Sequence, residues 1–193
     1  MALATKKLII LDRDGVLNAK VSDPISNADD WEALSGSMDA VAFLTQSGYT
    51  VVVATNQSGI GRGLMTMRQL NEVHGKMNQS IQKAGGYLSG IWFCPHRAED
   101  HCDCRKPRAG MIIDILDRLN AEAKNTWLVG DRLRDLQAID AVGGNPVLVL
   151  SGSGKETLST QKLPENTQVF DNLLDFAKYR MQEDVQMKNA KDA

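Results

Sequence analysis

Long hydrophobic runs are absent from this sequence of 193 residues, although the chain is long enough for one domain with a sizeable core. No apolar stretch approaches the roughly 18 residues that a membrane-spanning helix needs. The apolar run at residues 8–11 is too short for a signal peptide and leads directly into aspartates. We therefore expect a cytoplasmic protein with no membrane partner.

Positive charge is not in excess, because 22 lysines and arginines stand against 24 acidic residues and give a net charge of −2. Aromatic residues make up only 5% of the chain, and they form no basic, aromatic stripe. Nucleic acids and anionic membranes are therefore not expected as partners. Any positive charge that binds an anionic ligand must be local.

Cysteine is rare and clustered, and an odd, clustered set is unlike a disulfide framework. The pattern Cys94-x-His96-x5-Cys102-x-Cys104 offers three thiolates and one imidazole, which suit a closed tetrahedral zinc site. His101 could compete with His96, but the spacing of His96 mirrors that of the second pair. The alternative is a chance cluster of reduced thiols. We expect structural Zn²⁺ that orders a loop too short and polar to fold by burial.

Apolar, β-rich runs alternate with helical patterns along the chain. The runs are continuous, as is typical of strands buried on both faces, and they cover residues 6–12, 49–55, 90–94, 126–131 and 146–150. Helical periodicity predicts helices at residues 37–48, 66–86, 110–122, 132–144 and 172–181. Strands that alternate with helices imply an α/β fold with a doubly wound, mainly parallel, Rossmann-like sheet.

The same pattern predicts one domain over residues 1–181, without a linker or an internal repeat. Residues 151–166 are rich in Gly, Ser and Lys and are predicted to form a loop. The polar residues 182–193 are predicted to form a frayed tail.

Polar side chains gather where the predicted strands end. Asp12 and Asp14 follow the first strand, Thr55 ends the second, and Asp131 ends the fourth. Ligands of such sheets bind outside the carboxyl ends of the strands, so we expect these groups at one rim.

Asp12 and Asp14 allow two interpretations. They are either ordinary turn residues ahead of Gly15, or they bind a hard cation such as Mg²⁺ and supply a carboxylate that attacks phosphorus. In the second interpretation, one aspartate acts as an acid and later as a base. Their pKa values are then expected to differ, with Asp14 the more easily protonated.

Three other segments have both an ordinary and a functional interpretation. Residues 55–63, TNQSGIGRG, form either a common loop or an oxyanion site made of backbone N–H groups. Arg105 and Lys106 are either solvated cations or phosphate ligands that leave a metal-fixed loop. Asp131 is either a helix N-cap or a metal ligand, with Asp135 one helical turn later in support.

Together, these motifs resemble the haloacid dehalogenase superfamily of phosphatases. DRDGVLN at residues 12–18 matches its first motif, Thr55 the second, Lys106 the third and GDRLRD at residues 130–135 the fourth. The match runs from residue 8 to the fifth predicted strand. Within the superfamily, the segments ATNQSGIGRG and CPH…CDCRKP resemble the subfamily of D-glycero-D-manno-heptose 1,7-bisphosphate phosphatases and the related histidinol-phosphate phosphatases. The resemblance implies a minimal cap.

The resemblance also implies a role for each residue at the rim. Asp12 would be the nucleophile and a Mg²⁺ ligand. Asp14 would protonate the leaving oxygen, activate water and bind Mg²⁺ through its backbone carbonyl, and Asp131 would complete the metal site. Thr55 would hold the phosphoryl group and Lys106 would neutralise its developing charge. The expected substrate contacts are Asn56, Gln57, Ser58, Arg105 and Arg132.

The implied function is that of a Mg²⁺-dependent phosphatase with structural zinc, a monomer that acts on a small sugar phosphate. The substrate would lose its C7 phosphate through an aspartyl-phosphate intermediate, on the route to ADP-heptose for lipopolysaccharide. Histidinol phosphate is the alternative substrate, and the acidic net charge argues against nucleic-acid ends. A non-catalytic, zinc-stabilised binding module is the alternative of another class. The complete set Asp12, Asp14, Lys106 and Asp131 argues against it.

Two segments depart from the subfamily pattern. Residues 18–24 read NAKVSDP, and Lys20 lies where many members have a more acidic or a Gly- and Tyr-containing sequence that helps to receive the sugar. The zinc loop is short, with five residues between His96 and Cys102. These departures leave the sugar contacts and the anomer preference open.

Overall fold

One parallel sheet forms the centre of the fold. The computed structural model describes residues 6–19 and 25–190, and within this part the sheet has six strands in the order β3-β2-β1-β4-β5-β6. The strands are β1 (Leu8–Leu11), β2 (Thr50–Asn56), β3 (Gly90–Cys94), β4 (Thr126–Gly130), β5 (Asn145–Val149) and β6 (Gln168–Phe170). All neighbouring strands are parallel. This is the strand order of a doubly wound Rossmann-like sheet, so the predicted fold class is confirmed.

Helices connect the strands and cover the sheet. In the described residues they are α1 (Ser37–Gln46), α2 (Met67–Lys83), α3 (Gly110–Leu119), α4 (Leu133–Asp140), α5 (Gly154–Thr160) and α6 (Leu173–Asn189). Short 3₁₀ turns lie at Ala28–Asp30, Ala98–Asp100 and Ala123–Asn125. None of the helices in this part of the chain is both long and apolar enough to cross a membrane.

Both faces of the sheet are buried, which explains the continuous apolar runs in the sequence. Alternate residues of β1 point to opposite faces. Ile9 and Leu11 pack in a core with α1, α2 and α6, whereas Leu8 and Ile10 pack in a second core with α3 and α4. All four side chains are fully buried. The two cores therefore hold β1 rigidly, and β1 leads directly into Asp12.

The middle of the sheet defines where a ligand can bind. β1 lies between β2 and β4. β2 and β3 follow on one side of β1, and β4, β5 and β6 follow on the other. The last residue of β1, Leu11, is level with Val53 of β2 and Val129 of β4. The loops that follow these three strands therefore meet at one rim, at the topological switch point of the sheet.

Three sequence-based predictions differ from the structure in the last third of the chain. The predicted loop at residues 151–166 contains helix α5. A sixth strand, β6, was not predicted, because it has only three residues and lies at the edge of the sheet. Helix α6 extends to Asn189, so the predicted frayed tail is wrong for residues 182–189.

A cluster of polar contacts explains why α6 continues past residue 181. The carboxylate of Asp184 pairs with Lys7, accepts a hydrogen bond of 2.8 Å from the Tyr49 hydroxyl, and lies 3.7 Å from Arg180. The Arg180 guanidinium stacks 4.2 Å from the ring centroid of Trp127. These contacts come from distant parts of the sequence, and local propensity alone does not predict them.

We expect Asp184→Asn to lower the free energy of unfolding by about 1–2 kcal/mol, because charged hydrogen bonds to a partly buried carboxylate are lost. Burial raises the pKa of Asp184, but the hydrogen bonds from Lys7 and Tyr49 lower it by more. The net pKa therefore lies below the usual 3.8. The stabilisation is therefore present above pH 3.8 and is lost as the pH falls through the lower pKa of the folded state.

Thermal and urea unfolding between pH 3 and pH 7 measure this effect. The control is Glu183→Gln, which removes a neighbouring carboxylate on the same helix. Equal stability losses in the two variants, or a difference that does not shrink at low pH, would contradict the assignment.

Candidate active site

Three buried carboxylates meet at the rim. Asp12 follows β1, Asp131 follows β4, and Asp135 lies in the first turn of α4. Their exposed fractions are 2%, 1% and 0%, and one oxygen from each lies within 4.8 Å of the others. Three negative charges this close and this well buried repel one another strongly, so the cluster requires cations.

Lys106 supplies one of these cations. Its side chain is fully buried, and its Nζ lies 2.7 Å from Asp135 and 3.1 Å from Asp12. The same ammonium donates a hydrogen bond of 2.6 Å to the carbonyl of Ala54. Burial disfavours the charged lysine, but Asp12 and Asp135 more than offset this and raise the pKa of Lys106. Lys106 is therefore a fixed positive charge at the rim.

One lysine does not balance three carboxylates. Burial raises the pKa of Asp12, and burial followed by the charge of Asp12 raises the pKa of Asp131 to about 7. Oδ1 of Asp131 is buried and has no hydrogen-bond partner among the described residues. Surplus negative charge, oxygen ligands and an unpaired carboxylate oxygen are the features that Mg²⁺ requires. The residues present therefore fit a magnesium site.

Glycines allow two loops to close around Asp131. Gly15 has φ +86° and Gly152 has φ +58°, and a Cβ at either position would collide with the carboxylate of Asp131. Oδ2 of Asp131 accepts a hydrogen bond of 2.7 Å from the backbone N–H of Ser153. The hydroxyl of Thr157 donates to the carbonyl of Asp131 at 2.8 Å. Residues 151–166, which were predicted to form a loop, thus contribute one wall of the acidic cluster.

The carboxylate of Asp14 is not part of this cluster. Its carboxylate accepts hydrogen bonds from Arg13 Nη2 at 2.9 and 3.0 Å, from Arg13 Nε at 3.1 Å, from Asn18 at 3.0 Å and from Gln57 at 2.9 Å. Burial raises its pKa, but Arg13, Asn18 and Gln57 more than reverse this, so the pKa of Asp14 is lowered. The expectation that Asp14 is the more easily protonated acid is therefore wrong, because the pKa of Asp12 is raised and that of Asp14 is lowered.

The side-chain amides of Asn56 and Gln57, two of the predicted substrate contacts, bond to other parts of the protein. The Asn56 side chain donates to the carbonyl of Lys106 at 3.0 Å and accepts from its N–H at 3.2 Å. The Gln57 side chain donates to Asp14 and to Thr55 Oγ1, each at 2.9 Å, and accepts from Arg13 at 3.2 Å. The Gln57 backbone N–H donates to Cys94. Gln57 therefore has no donor left for a ligand, and its geometry is that of a positioning residue.

The other predicted substrate contacts are Ser58, Arg105 and Arg132. Ser58 lies in the loop after β2, and its carbonyl accepts from Arg62 N–H at 3.0 Å. Arg105 donates to the carbonyl of His96 at 3.2 Å and lines a cavity of about 190 Å³ together with Lys106. Arg132 lines a second cavity, of about 250 Å³, between α4 and α5. Residues 20–24, which include Lys20, lie outside the described residues.

The cysteine cluster forms beside this rim. Cys94 Sγ lies 3.6 Å from Cys102 Sγ and 3.6 Å from His96 Nδ1, while Cys104 Sγ lies 3.3 Å from His96 Nδ1 and 3.5 Å from Cys102 Sγ. Two thiolates on one tetrahedral zinc lie about 3.8 Å apart, because each Zn–S bond is about 2.3 Å. His101 is not part of the group. The four side chains therefore fit Zn²⁺, with His96 as the histidine ligand.

The cysteine loop leads directly to the buried lysine of the acidic cluster. Lys106 follows Cys104 by two residues, and the backbone carbonyls of Cys94 and Pro95 accept hydrogen bonds from the N–H groups of Gln57 at 2.7 Å and Gly61 at 3.0 Å. A metal-fixed loop of this kind gives Lys106 a rigid starting point for entry into the buried cluster.

Comparisons with known proteins were consistent with this site. A HAD-hydrolase-like family model matches residues 103–176. A D-glycero-β-D-manno-heptose-1,7-bisphosphate 7-phosphatase of Neisseria meningitidis is 64% identical over 179 residues, which cover 92% of this chain and 96% of the relative. An enzyme of the same name from Pseudomonas aeruginosa is 43% identical over 169 residues, with 88% and 94% covered.

The chain belongs to the D-glycero-β-D-manno-heptose-1,7-bisphosphate 7-phosphatase family.

A solved structure extends this relationship to the fold. The D,D-heptose 1,7-bisphosphate phosphatase of Bordetella bronchiseptica, complexed with magnesium and phosphate, matches with a TM-score of 0.90 and 46% identity, and the match covers 92% of this chain and 99% of the other. The HAD-like fold and the phosphatase family predicted from the motifs are thus confirmed.

Three residues that hold the aspartates of the heptose bisphosphatase site were not predicted from the sequence. Arg13 and Asn18 hold Asp14, and Ser153 holds Asp131 through its backbone. One sequence feature indicates a role for Arg13, because it is an arginine between two acids directly after a buried strand. Asp135, expected only as a support of Asp131, also forms the shortest ion pair of Lys106.

Purified protein is expected to contain about one zinc per chain, and removal of the metal should lower the melting temperature, because the zinc loop has little other means of stabilisation. His96→Asn should lose the metal. Elemental analysis and thermal unfolding with and without a chelator measure both effects.

The matched control is His101→Asn, which changes the neighbouring histidine outside the four-residue group. Asparagine tolerates the left-handed backbone that His101 adopts (φ 50°). Zinc loss in both variants, or zinc-free protein of unchanged stability, would contradict the assignment of the four ligands.

Proposed function

We propose that the protein hydrolyses the C7 phosphate of D-glycero-β-D-manno-heptose 1,7-bisphosphate, with Asp12 as the nucleophile. The observation that carries the proposal is the buried group of Asp12, Asp131, Asp135 and Lys106 at the switch point of the sheet. The 64% identity to an enzyme with that name supports the substrate and the β anomer.

The metal ligands we propose are the carboxylates of Asp12 and Asp131 and the backbone carbonyl of Asp14. Mg²⁺ bound there supplies the positive charge that offsets repulsion between the carboxylates and the phosphate oxygens. Lys106 adds a second positive charge, which Asp135 and the Ala54 carbonyl hold in place.

The first half-reaction transfers the phosphoryl group to the protein. A carboxylate oxygen of Asp12 forms a bond to phosphorus while the bond between phosphorus and the C7 oxygen breaks. The C7 oxygen takes a proton from Asp14, so the free alcohol leaves and Asp14 becomes a carboxylate. The negative charge of the substrate phosphate beside Asp14 favours its protonated form before this step.

The second half-reaction restores the enzyme. The carboxylate of Asp14 takes a proton from water, and the water oxygen forms a bond to phosphorus. The bond between phosphorus and the Asp12 oxygen then breaks, which releases inorganic phosphate. Asp12 is again a carboxylate and Asp14 again carries a proton, so both half-reactions use the same pair of side chains.

The substrate contacts we propose come from several loops around the rim. The Thr55 hydroxyl and the backbone at Asn56 hold the phosphoryl oxygens, with Ser58 beside them. Arg105 follows the cysteine loop and Arg132 follows Asp131 in sequence, and each lines a cavity. Their charge suits them to the negatively charged remainder of a bisphosphate.

The setting that fits this chemistry is cytoplasmic synthesis of ADP-heptose for lipopolysaccharide. The partner is a small sugar phosphate, and neither nucleic acid nor membrane is needed for the reaction. We propose that the protein acts as a monomer, because each group in the scheme comes from one chain. A reducing cytoplasm also keeps the three cysteines available to bind zinc.

Asp12→Asn should lower kcat by more than about 10³-fold, because the amide is a poor nucleophile. The melting temperature should not fall, since one of three mutually repelling carboxylates is removed. Phosphate release and thermal unfolding measure the two effects, and Asp39→Asn, at an exposed position of α1, is the matched control. Full activity of Asp12→Asn would overturn the nucleophile and reopen the binding-module interpretation.

Steady-state turnover of heptose 1,7-bisphosphate and histidinol phosphate, compared on the same preparation, tests the substrate. We expect kcat/KM for the bisphosphate to be at least about 10²-fold higher, because the proposed arginine contacts would bind its second phosphate, whereas histidinol carries a positively charged amine. A preference for histidinol phosphate would contradict the proposed substrate while leaving the phosphatase chemistry intact.

A further inference from the structure

Arg13, between the two aspartates of the first motif, is an almost completely buried arginine. Its residue exposure is 1%, and it lies in the turn directly after β1. A buried guanidinium is costly unless its N–H groups are paired. The contacts of Arg13 therefore indicate what it does.

Nearly all the donors of Arg13 are used within the protein. Nε and Nη2 donate to the carboxylate of Asp14, and Nη2 also donates to Gln57 Oε1 at 3.2 Å. Nη1 lies 3.4 Å from Nε2 of His74. Because arginine can only donate, His74 Nε2 accepts, and burial together with the Arg13 charge lowers the pKa of His74 to about 4. The imidazole is thus neutral.

Gln57 completes a closed arrangement around Asp14. Its amide accepts from Arg13 and donates to both Asp14 and Thr55. Gln57 is 4% exposed, so water cannot readily replace these bonds. On the other side, Asn18 donates to Asp14 and accepts from Trp31 Nε1 at 3.1 Å. Hydrogen bonds from Arg13, Gln57 and Asn18 therefore hold the Asp14 carboxylate in one orientation.

We propose that Arg13, together with Gln57, is a positioning residue for proton transfer: it aims the Asp14 carboxyl at the leaving oxygen and then at the attacking water. This inference rests on the proposed phosphatase function and assigns a role to two residues that do not touch the substrate. Planar, two-point binding of a carboxylate is the property that distinguishes arginine from lysine.

Direct phosphate binding by Arg13 is the main rival role. It requires free N–H groups that reach the rim, whereas Arg13 is buried and directs all three of its guanidinium nitrogens at Asp14, Gln57 and His74. A purely structural ion pair is the second rival role. It predicts a loss of stability without a selective effect on any one chemical step.

The leaving group separates these roles. A sugar alkoxide needs a proton as its bond to phosphorus breaks, so the first half-reaction on the heptose depends on an aligned Asp14. Nitrophenolate is a stable anion and leaves without a proton, so the same half-reaction on p-nitrophenyl phosphate does not depend on Asp14. Hydrolysis of the aspartyl phosphate depends on Asp14 with either substrate, because water must be deprotonated.

The experiment measures single turnovers, with enzyme in excess, for wild type, Arg13→Gln and Arg13→Lys with Mg²⁺ present. For Arg13→Gln we expect the rate constant for heptose bisphosphate cleavage to fall about 10²-fold or more, and that for nitrophenolate release to stay within about threefold of wild type. Steady-state turnover of p-nitrophenyl phosphate should fall, so the aspartyl phosphate accumulates. Arg13→Lys should be intermediate.

Controls make the outcome decisive. Arg68→Gln, an exposed arginine on α2, should behave as wild type. Gln57→Leu should reproduce the selective pattern and provides the test if Arg13→Gln does not fold. Rate constants at saturating enzyme do not depend on the fraction of folded molecules.

Equal losses in the nitrophenolate and heptose rate constants would overturn the inference, since Arg13 would then act on phosphate or on Asp12. Unchanged rate constants for both substrates, or a raised KM with unchanged kcat, would also overturn it. Failure of the proposed function is a separate result, because wild type itself would then not cleave heptose bisphosphate.

Discussion

The buried ammonium of Lys106 between Asp12 and Asp135 is the contact on which the rest of the site depends. Without a positive charge there, the carboxylates of Asp12, after β1, and Asp135, in α4, could not be buried together. Their repulsion and desolvation would not be offset. Lys106 enters from a third direction, the loop after β3. One ion-pair group therefore joins three parts of the chain that are far apart in sequence.

Much of the surrounding structure holds these charges in position. The Asn56 side chain, at the end of β2, donates to the carbonyl of Lys106 and accepts from its N–H. Cys104 of the Cys₃His group lies two residues before Lys106. Gly15 and Gly152 let two loops approach Asp131 more closely than any side chain would permit. Backbone hydrogen bonds order these loops, and zinc bound by the Cys₃His group would add to that order.

Sequence patterns predicted the features that depend on local periodicity and on strand topology. Continuous apolar runs predicted β1 to β5, and the strand ends of a parallel sheet predicted that Asp12 and Asp131 meet. The family resemblance added Lys106 to this rim. What was missed depends on contacts between distant residues. Helix α6 extends because Asp184 meets Lys7 and Tyr49. Gln57 faces Asp14 rather than a ligand, because the orientation of Arg13 decides which partner it finds.

The two aspartates of the first motif show how one short segment can provide two different acids. Asp12 lies in a buried cluster of like charge, which favours its neutral form until cations offset that charge. Asp14, two residues later, faces a guanidinium and two amides, which favour its carboxylate. Cations bound near Asp12 lower its pKa, and a phosphate near Asp14 raises that of Asp14. The proposed reaction needs the opposite order of the two pKa values, with Asp12 ionised and Asp14 protonated, so binding of the cation and the phosphate has to supply that reversal.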